Sequence, residues 1–366
     1  MNLRLLLAAP VALLAWSLGC GSHASNDLSF GDDGGTTEGG GDGSGSSGGS
    51  SGGSSGGSSG SSSGGAPYDG GGVTGNIGND GGTLSSLYFG VVGDTRPPNE
   101  DDVSAYPTTI IQGIFTALAK PQFNPPFLLA SGDYQFSSTG SKSTATEQLS
   151  MYTQARTAGG YDGVLFAAMG NHECTGADVS NCASGTSQGL TANYNAFMTQ
   201  LLGPIAKTTP YYSFNVDATD GSWTAKFVMT AANAWDSTQQ TWLTTTMAQK
   251  TTYTFVVRHE PTEDYPGSAP SSIPTIDSII NASSYTLLIV GHSHTYGHYT
   301  TPYPREVIIG NGGAPWSGSK AVLYGFGIFK MRSDGAIVAD MMSSTAPYSP
   351  DAAFHFVVKA DGTLTQ

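Results

Sequence analysis

YTLLIVGHSHTY, residues 285–296, is the stretch on which the interpretation of this chain depends. Its apolar part, residues 286–290, is short and nearly unbroken, which is typical of a strand buried on both faces. A glycine turn follows it and presents His292 and His294 together. Packing does not require two imidazoles just beyond a buried strand, so the pair predicts metal binding. The alternative is a surface turn that happens to contain two histidines.

Four other apolar segments end in polar turns. They are predicted strands at residues 87–92, 127–130, 164–169 and 252–257. The turns that follow are GDTR (93–96), SGDY (131–134), GNHE (170–173) and RHEP (258–261). Helices are predicted between the first three strands, and strands joined in this way pair in parallel through right-handed crossovers. Ligands bind beyond the carboxyl ends of parallel strands, so these polar groups are expected at one edge.

The side chains expected at that edge form a mixed set of oxygen and nitrogen donors. They are two carboxylates, one amide and three imidazoles, from Asp94, Asp133, Asn171, His259, His292 and His294. Six donors are too many for one ion, and the mixture suits two ions of manganese, iron, zinc or magnesium better than a thiolate zinc site. Two such ions hold a water as hydroxide and stabilise the oxygens of an in-line displacement at phosphorus. The residues therefore predict hydrolysis of a phosphate ester.

The series GDTR, SGDY, GNHE, RHEP and GHSHTY, in this order and each after an apolar strand, resembles the calcineurin-like metallophosphoesterase superfamily over residues 84–331. GNHE and GHSHTY, with Asp236 before Gln239, Trp242 and Leu243, are similar to the purple acid phosphatase-like branch. The resemblance implies an α/β fold (an α+β sandwich) with two central mixed β-sheets flanked by helices. It also implies a dinuclear metal site at the carboxyl-terminal strand ends.

The resemblance further implies a role for each matching residue. The metal ligands would be Asp94 and His294 on the first ion, Asp133 as the bridge, and Asn171, His259 and His292 on the second ion. His172 would lie beside the phosphate as proton donor or oxyanion stabiliser, and Glu173 would orient its imidazole. The implied cofactors are two divalent or trivalent ions of iron, manganese or zinc.

Two residues depart from the family pattern. Most of the superfamily has histidine where this chain has Arg96, and purple acid phosphatases have a tyrosine ligand where it has Phe136. The first ion would then have only Asp94, Asp133 and His294 as protein ligands, which predicts weak or exchangeable binding. Arg96 is expected to clamp the phosphate in catalysis, with a structural salt bridge as the alternative.

These features predict a hydrolase of phosphoric ester bonds, acid phosphatase-like, that attacks phosphate monoesters with a metal-bridged hydroxide. Two alternatives remain. One is a phosphodiesterase or nucleotidase of the same fold. The other is a non-catalytic surface binding domain with a weakened first metal site.

The first part of the chain predicts export. Residues 1–20 have the form of a signal peptide of the lipoprotein type, in which Cys20 is acylated, although cleavage after Ala24 is the alternative. Residues 21–82 are rich in glycine and serine and predict a disordered tether, and residues 83–366 are expected to form the metallophosphoesterase domain. The expected location is the outer cell surface or the periplasm of a bacterium.

Charge and cysteine content limit the partners. The net charge is −14 and no basic cluster occurs, which argues against nucleic acid as a bulk partner. A small-molecule phosphate ester is the expected partner, and the membrane is reached through the lipid anchor alone; the oligomeric state stays open. Cys174 and Cys182 predict a disulfide in an oxidising compartment, with two free thiols as the alternative.

Overall fold

The computed structural model of the chain describes residues 72–176, 180–186, 189–262, 270–298, 303–316, 323–343 and 348–365. The predictions for the signal peptide, for Cys20 and Ala24, and for most of the tether lie outside these residues. No helix within the described ranges is long and apolar enough to cross a membrane.

Fifteen strands form two mixed sheets within the described residues. The strands are β1 Gly75–Gly78, β2 Gly81–Leu84, β3 Tyr88–Val92, β4 Phe127–Ala130, β5 Val164–Ala167, β6 Tyr212–Ala218, β7 Thr224–Met229, β8 Tyr253–Val257, β9 Leu287–Val290, β10 Tyr296–His298, β11 Glu306–Ile309, β12 Gly325–Met331, β13 Ile337–Ser343, β14 Ser349–Val358 and β15 Leu364–Thr365. The first sheet has the order β1-β2-β6-β7-β8-β9-β11-β10, and the second has the order β15-β14-β13-β12-β3-β4-β5.

Helices flank both sheets. They are α1 Thr108–Leu118, α2 Lys142–Gly159, α3 Ala192–Phe197 with a π-helical turn at Met198–Leu202, α4 Ser237–Ala248 and α5 Ile273–Asn281. Buried residues of α4 and α5 pack on the outer face of the first sheet, where they surround Val228 and Val256. Asp236 caps the start of α4, because its side chain accepts a hydrogen bond from the Gln239 N–H at 2.7 Å.

The inner faces of the two sheets meet in an aromatic core. Phe89 of β3 contacts Phe227 of β7 and Phe255 of β8 edge to face, with ring centroids 5.2 Å apart in both pairs. Phe127 of β4 makes a similar contact with Phe227. Rings of this size bury much apolar area and prefer such offset arrangements. The predicted fold class, two central mixed sheets flanked by helices, is therefore confirmed.

Parallel pairing brings the predicted strand ends together. In the second sheet β3 pairs in parallel with β4, and β4 with β5. In the first sheet β8 lies between β7 and β9 and is parallel to both. The residues of β3, β4, β8 and β9 are all buried, as their largely apolar sequences predict.

Ordered structure begins before the boundary that the sequence predicted for the tether. β1 and β2 lie largely within residues 21–82, where they pair with each other, and β2 pairs with β6. A Cβ atom at Gly75 would lie 2.0 Å from the Thr83 carbonyl oxygen, and one at Gly81 would lie 1.8 Å from the Asn215 carbonyl oxygen. Glycine therefore permits close backbone approach here, whereas composition alone suggested flexibility.

Candidate metal centre

The six predicted ligands meet at one edge of the fold. Each follows a strand: Asp94 follows β3, Asp133 β4, Asn171 β5, His259 β8, and His292 and His294 β9. Two sets of side chains have their donor atoms within 4.8 Å of one another. The first group is Asp94, Asp133 and His294, and the second group contains Asp133, His259 and His292. Asp133 belongs to both, which is the arrangement expected of a bridging carboxylate.

Donor atoms of the second group converge closely. Asp133 Oδ1 lies 3.1 Å from His259 Nε2, which lies 3.2 Å from His292 Nδ1. Asn171 Oδ1 is also 3.2 Å from His292 Nδ1, so we include Asn171 in the second group. His259 Nδ1 faces the carbonyl oxygen of Ser131 at 2.8 Å, which directs Nε2 toward the other donors. Four donors around one point fit a divalent cation.

The first group has fewer contacts and one oxygen that suits a cation. Asp94 Oδ1 accepts the backbone N–H of His292 at 3.1 Å and lies 3.8 Å from His294 Nε2. Asp94 Oδ2 is buried and has no hydrogen-bond partner among the described residues. His294 Nδ1 lies 2.8 Å from the carbonyl oxygen of Pro315, so its Nε2 is the nitrogen that faces the group. An unpaired buried carboxylate oxygen is costly, and a metal ion would satisfy it.

Four of the predicted ligands have a backbone conformation that residues other than glycine rarely adopt. The φ angles are 56° at Asp94, 59° at Asp133, 65° at His292 and 47° at His294. Positive φ is uncommon for residues other than glycine, and such conformations concentrate at functional sites. The left-handed turns therefore aim these side chains inward from the strand ends.

Arg96 and His172 lie next to the shared carboxylate. Arg96 Nε is 3.6 Å and His172 Nε2 is 3.7 Å from Asp133 Oδ2. The Arg96 guanidinium stacks on Phe136, 4.7 Å from the ring centroid, and Arg96 Nη1 donates to the carbonyl oxygen of Pro97 at 2.9 Å. Arg96 and Phe136 are partly exposed, so they border the site where it opens to solvent.

The resemblance implied that Glu173 orients the His172 imidazole, but the Glu173 carboxylate forms its hydrogen bonds with other groups. Its Oε2 accepts the backbone N–H groups of Asp133 at 2.8 Å and Gly170 at 2.9 Å, and its Oε1 accepts that of Tyr134 at 2.8 Å. His172 Nδ1 has no hydrogen-bond partner among the described residues. The backbone of the Asp133 turn and Gly170 offer N–H donors that take up both oxygens of this buried carboxylate instead. Glu173 therefore positions Asp133.

Two imidazoles of the site are neutral at neutral pH. Burial lowers the pKa of His172 to about 3, and the charge of Arg96 adds to this effect. Burial and then Arg96 lower the pKa of His294 to about 4. Neutral imidazole is the form that binds metals, and it can also donate a hydrogen bond to an oxyanion.

Two buried carboxylates of the site have raised pKa values, so a bound proton or cation is favoured there. Burial raises the pKa of Asp94 to about 8, and that of Glu173 to about 7, with the Asp133 charge adding to both. Burial lowers the pKa of His259, but the Asp133 carboxylate outweighs it and the pKa lies well above its usual value. An ion that binds here would displace that proton from His259.

The sequence did not predict the groups that contact the predicted ligands on the side away from the site. The carbonyl oxygens of Ser131 and Pro315 contact His259 and His294, and no side-chain pattern could identify them. Glu260 is wholly buried, and neither of its carboxylate oxygens has a hydrogen-bond partner within the described part of the chain. Glu260 directly follows His259 in the RHEP turn, and this position in the sequence could have indicated that Glu260 adds negative charge near the second group.

The predicted disulfide is present at the edge of the site. Cys174 and Cys182 are bonded, eight residues apart. The Cys174 N–H donates to the carbonyl oxygen of Asn171 at 3.0 Å, and the Cys182 N–H donates to that of Asn233 at 2.8 Å. The bond therefore links the turn that carries Asn171 to the segment after β7.

Comparison with known families gives a match over the centre of the chain. A family model described as calcineurin-like phosphoesterase matches residues 87–296, which is more than half of the 366 residues. This range contains all five turns that supply the candidate site. No curated protein sequence matches the chain at a significant level.

Solved structures share the fold at low sequence identity. GAP50, described as the anchor in the inner membrane complex of Plasmodium, is 13% identical, with a TM-score of 0.54 over 75% of this chain and 89% of its own. The purple acid phosphatase PPD1 from yellow lupin (Lupinus luteus) seeds is 12% identical, with a TM-score of 0.53 over 75% of this chain and 55% of its own. PhoD is 12% identical, with a TM-score of 0.51 over 78% of this chain and 73% of its own. At these identities the likeness concerns the fold.

Proposed function

Because this chain belongs to the calcineurin-like phosphoesterase family, we propose that it is an exported, acid phosphatase-like enzyme that hydrolyses phosphate monoesters with two bound metal ions. The observation that carries the proposal is the position of Asp133. Its Oδ1 lies against His259 of the second group, while its Oδ2 faces Arg96 and His172 at the open side of the site. Ligands for two ions and groups for a phosphate thus meet at one carboxylate.

The donor chemistry favours manganese, iron or zinc in this centre. The first group offers Asp94, Asp133 and His294, and the second offers Asp133, Asn171, His259 and His292. Two ions held by such oxygen and nitrogen donors supply a nucleophilic water and stabilise the charge on the phosphoryl oxygens.

The remaining polar residues act on the ester. The Arg96 guanidinium lies over the Phe136 ring and its Nε has no hydrogen-bond partner among the described residues, so it can donate to a phosphoryl oxygen. His172 is neutral and is better suited to donate a hydrogen bond to a phosphoryl or leaving-group oxygen than to act as a charged proton donor. Glu173 keeps the Asp133 turn in place through the backbone N–H groups that it accepts.

Turnover after metal exchange tests the proposal. The protein is stripped with a chelator, and manganese, iron or zinc is added back before assay with an aryl phosphate monoester, a bis-aryl phosphate diester and a nucleotide. We expect activity to return with at least one metal and to be highest on the monoester. Asp133→Asn should abolish it, and Asp217→Asn, the same change on β6 outside both groups, should not.

The other outcomes identify the alternatives. Preference for the diester or the nucleotide would make the enzyme a phosphodiesterase or nucleotidase of the same fold. Absence of turnover with every metal, together with retained phosphate binding, would favour a non-catalytic surface domain. That second candidate is supported by Arg96, whose charge lies 3.6 Å from Asp133 Oδ2 and would weaken binding at the first metal position.

Export and anchoring are also proposals, supported by the apolar segment at residues 5–18 and by the disulfide. A lipid on Cys20 would leave the domain attached to a membrane through a glycine- and serine-rich segment. Mass spectrometry of the mature N-terminus distinguishes acylated Cys20 from a peptide that begins after Ala24.

A further inference from the structure

The two groups are unequal in donors. The second group has four donor side chains, and the first has three, one of which is the shared Asp133. Asp133 Oδ1 lies 3.1 Å from His259 Nε2 of the second group, which leaves Oδ2 as the carboxylate oxygen that could serve the first group. Fewer protein donors mean weaker ion binding when charge and geometry are otherwise similar.

A fixed positive charge adds to this difference. Arg96 Nε lies 3.6 Å from Asp133 Oδ2, the oxygen left for the first group. The guanidinium is held there by Phe136 below it and by the carbonyl oxygen of Pro97. An ion in the first group would share that oxygen with an existing cation, and the two positive charges would repel each other in a buried site.

The same arrangement provides a way to remove the repulsion. Arg96 Nε is buried and has no hydrogen-bond partner among the described residues, so its hydrogen is available to an acceptor. A phosphate oxygen is such an acceptor, and its negative charge offsets that of the guanidinium. An ion and a phosphate would then stabilise each other across Arg96.

We propose that the two metal positions load in order: the second group binds an ion alone, and the first binds its ion firmly only when a phosphate group occupies Arg96. The inference rests on the proposed function, because it uses the same pair of positions. We expect the first group to bind at least about ten-fold more weakly than the second without phosphate. By linkage, the ion in the first group must strengthen phosphate binding by the same factor that phosphate strengthens the ion.

Manganese titration of the metal-stripped full chain tests this order. Equilibrium dialysis gives the number of ions bound, and the manganese electron paramagnetic resonance spectrum distinguishes isolated ions from coupled pairs. Without phosphate we expect one tight ion per chain with an isolated-ion spectrum. With inorganic phosphate we expect the second ion to bind about ten-fold or more tightly than before, and the coupled spectrum to appear.

Two variants of Arg96 provide the matched controls. Arg96→Met keeps a stem that packs on Phe136 but removes the charge, so the two affinities should approach each other and phosphate should have little effect. Arg96→Lys keeps the charge, so the unequal affinities should persist. Thermal melting of both variants checks that the fold is retained.

The outcomes separate this inference from the proposed function. Two manganese ions bound with equal affinity in the absence of phosphate would overturn the inference and leave the enzyme proposal standing. An unchanged affinity ratio in Arg96→Met would also overturn it. Failure to bind any manganese, iron or zinc would overturn both proposals.

Discussion

Glu173 holds Asp133 by its backbone: the Glu173 Oε2 atom accepts the Asp133 N–H at 2.8 Å, deep in the protein. The same oxygen accepts the Gly170 N–H, and Oε1 accepts the Tyr134 N–H. One carboxylate thus ties together the turns after β4 and β5. Because Asp133 has a φ of 59°, its turn needs such support to hold the carboxylate between the two groups.

Glu173→Gln should weaken metal binding while leaving the fold intact. The substitution replaces one acceptor oxygen by an NH2 group, which would then face backbone N–H donors. We expect metal affinity to fall by about 10- to 100-fold, as is usual when a group that positions a metal ligand is lost. Manganese dialysis measures this change, and thermal melting checks the fold.

A different result would restore the role that the sequence resemblance implied. If Glu173 acted through His172, the variant would keep its metal affinity and change the pH profile of kcat instead. Unchanged manganese binding in Glu173→Gln would therefore contradict the assignment to the Asp133 turn.

The Asp94 carboxylate packs against Gly310, where a larger residue would leave no room for it. A Cβ atom at Gly310 would lie 2.3 Å from Asp94 Oδ2, whereas one at Gly297 on β10 would meet no atom within 4 Å. Gly310→Ala should therefore displace the carboxylate and lower the affinity of the first group by about ten-fold or more, with a stability cost of about 1–3 kcal/mol. Gly297→Ala is the matched control and should bind both ions as the parent does. Equal metal binding in the two variants would contradict this placement of Asp94.

Much of the site could be predicted from the sequence because its information is local. Five apolar runs specify buried strands, and each turn that follows carries its own ligand. Parallel pairing then places the ligands of each sheet together at the carboxyl ends of its strands. The packing of the two sheets, which strand pairing alone does not specify, brings Asp94 after β3 next to His292 after β9.

The errors arise where backbone atoms decide the structure. Glu173 can be assigned to an imidazole because the sequence does not reveal which N–H groups a buried carboxylate will meet. Gly75 and Gly81 resemble the glycines of the tether in composition, yet they permit strand contacts that any side chain would block. The positive φ values at Asp94 and Asp133 likewise could not be predicted from the sequence, because aspartate occurs in many kinds of turn.

Loss of the disulfide should affect both stability and activity. The Cys174–Cys182 bond joins two residues that are eight positions apart in the sequence. Closing a loop of this length corresponds to about 2–3 kcal/mol of stabilisation in the chain-entropy model. Cys174 also hydrogen-bonds the backbone of Asn171 in the second group. The Cys174→Ser/Cys182→Ser double variant should lose stability by about this amount and bind the second ion less tightly.

Thiol titration and denaturant unfolding measure these effects. The unreduced protein without its signal segment should contain no reactive thiol, and a reducing agent should reproduce the loss of stability. The same reagent should leave the double variant unchanged. Two reactive thiols in the unreduced protein would contradict the bond.

His294→Ala should empty the first group and leave the second intact. His294 supplies the single imidazole of the first group, and its Pro315 contact directs Nε2 toward Asp94. The positive charge of Arg96 would repel an ion in the first group, so Asp94 and Asp133 alone should not retain that ion. In the presence of phosphate the manganese content should fall from two ions to one, with at least about a hundred-fold loss of activity. His298→Ala removes an imidazole of the same segment that lies outside both groups, and it should keep both ions. A His294→Ala protein that retains two ions and full activity would show that His294 is not a ligand of the first ion.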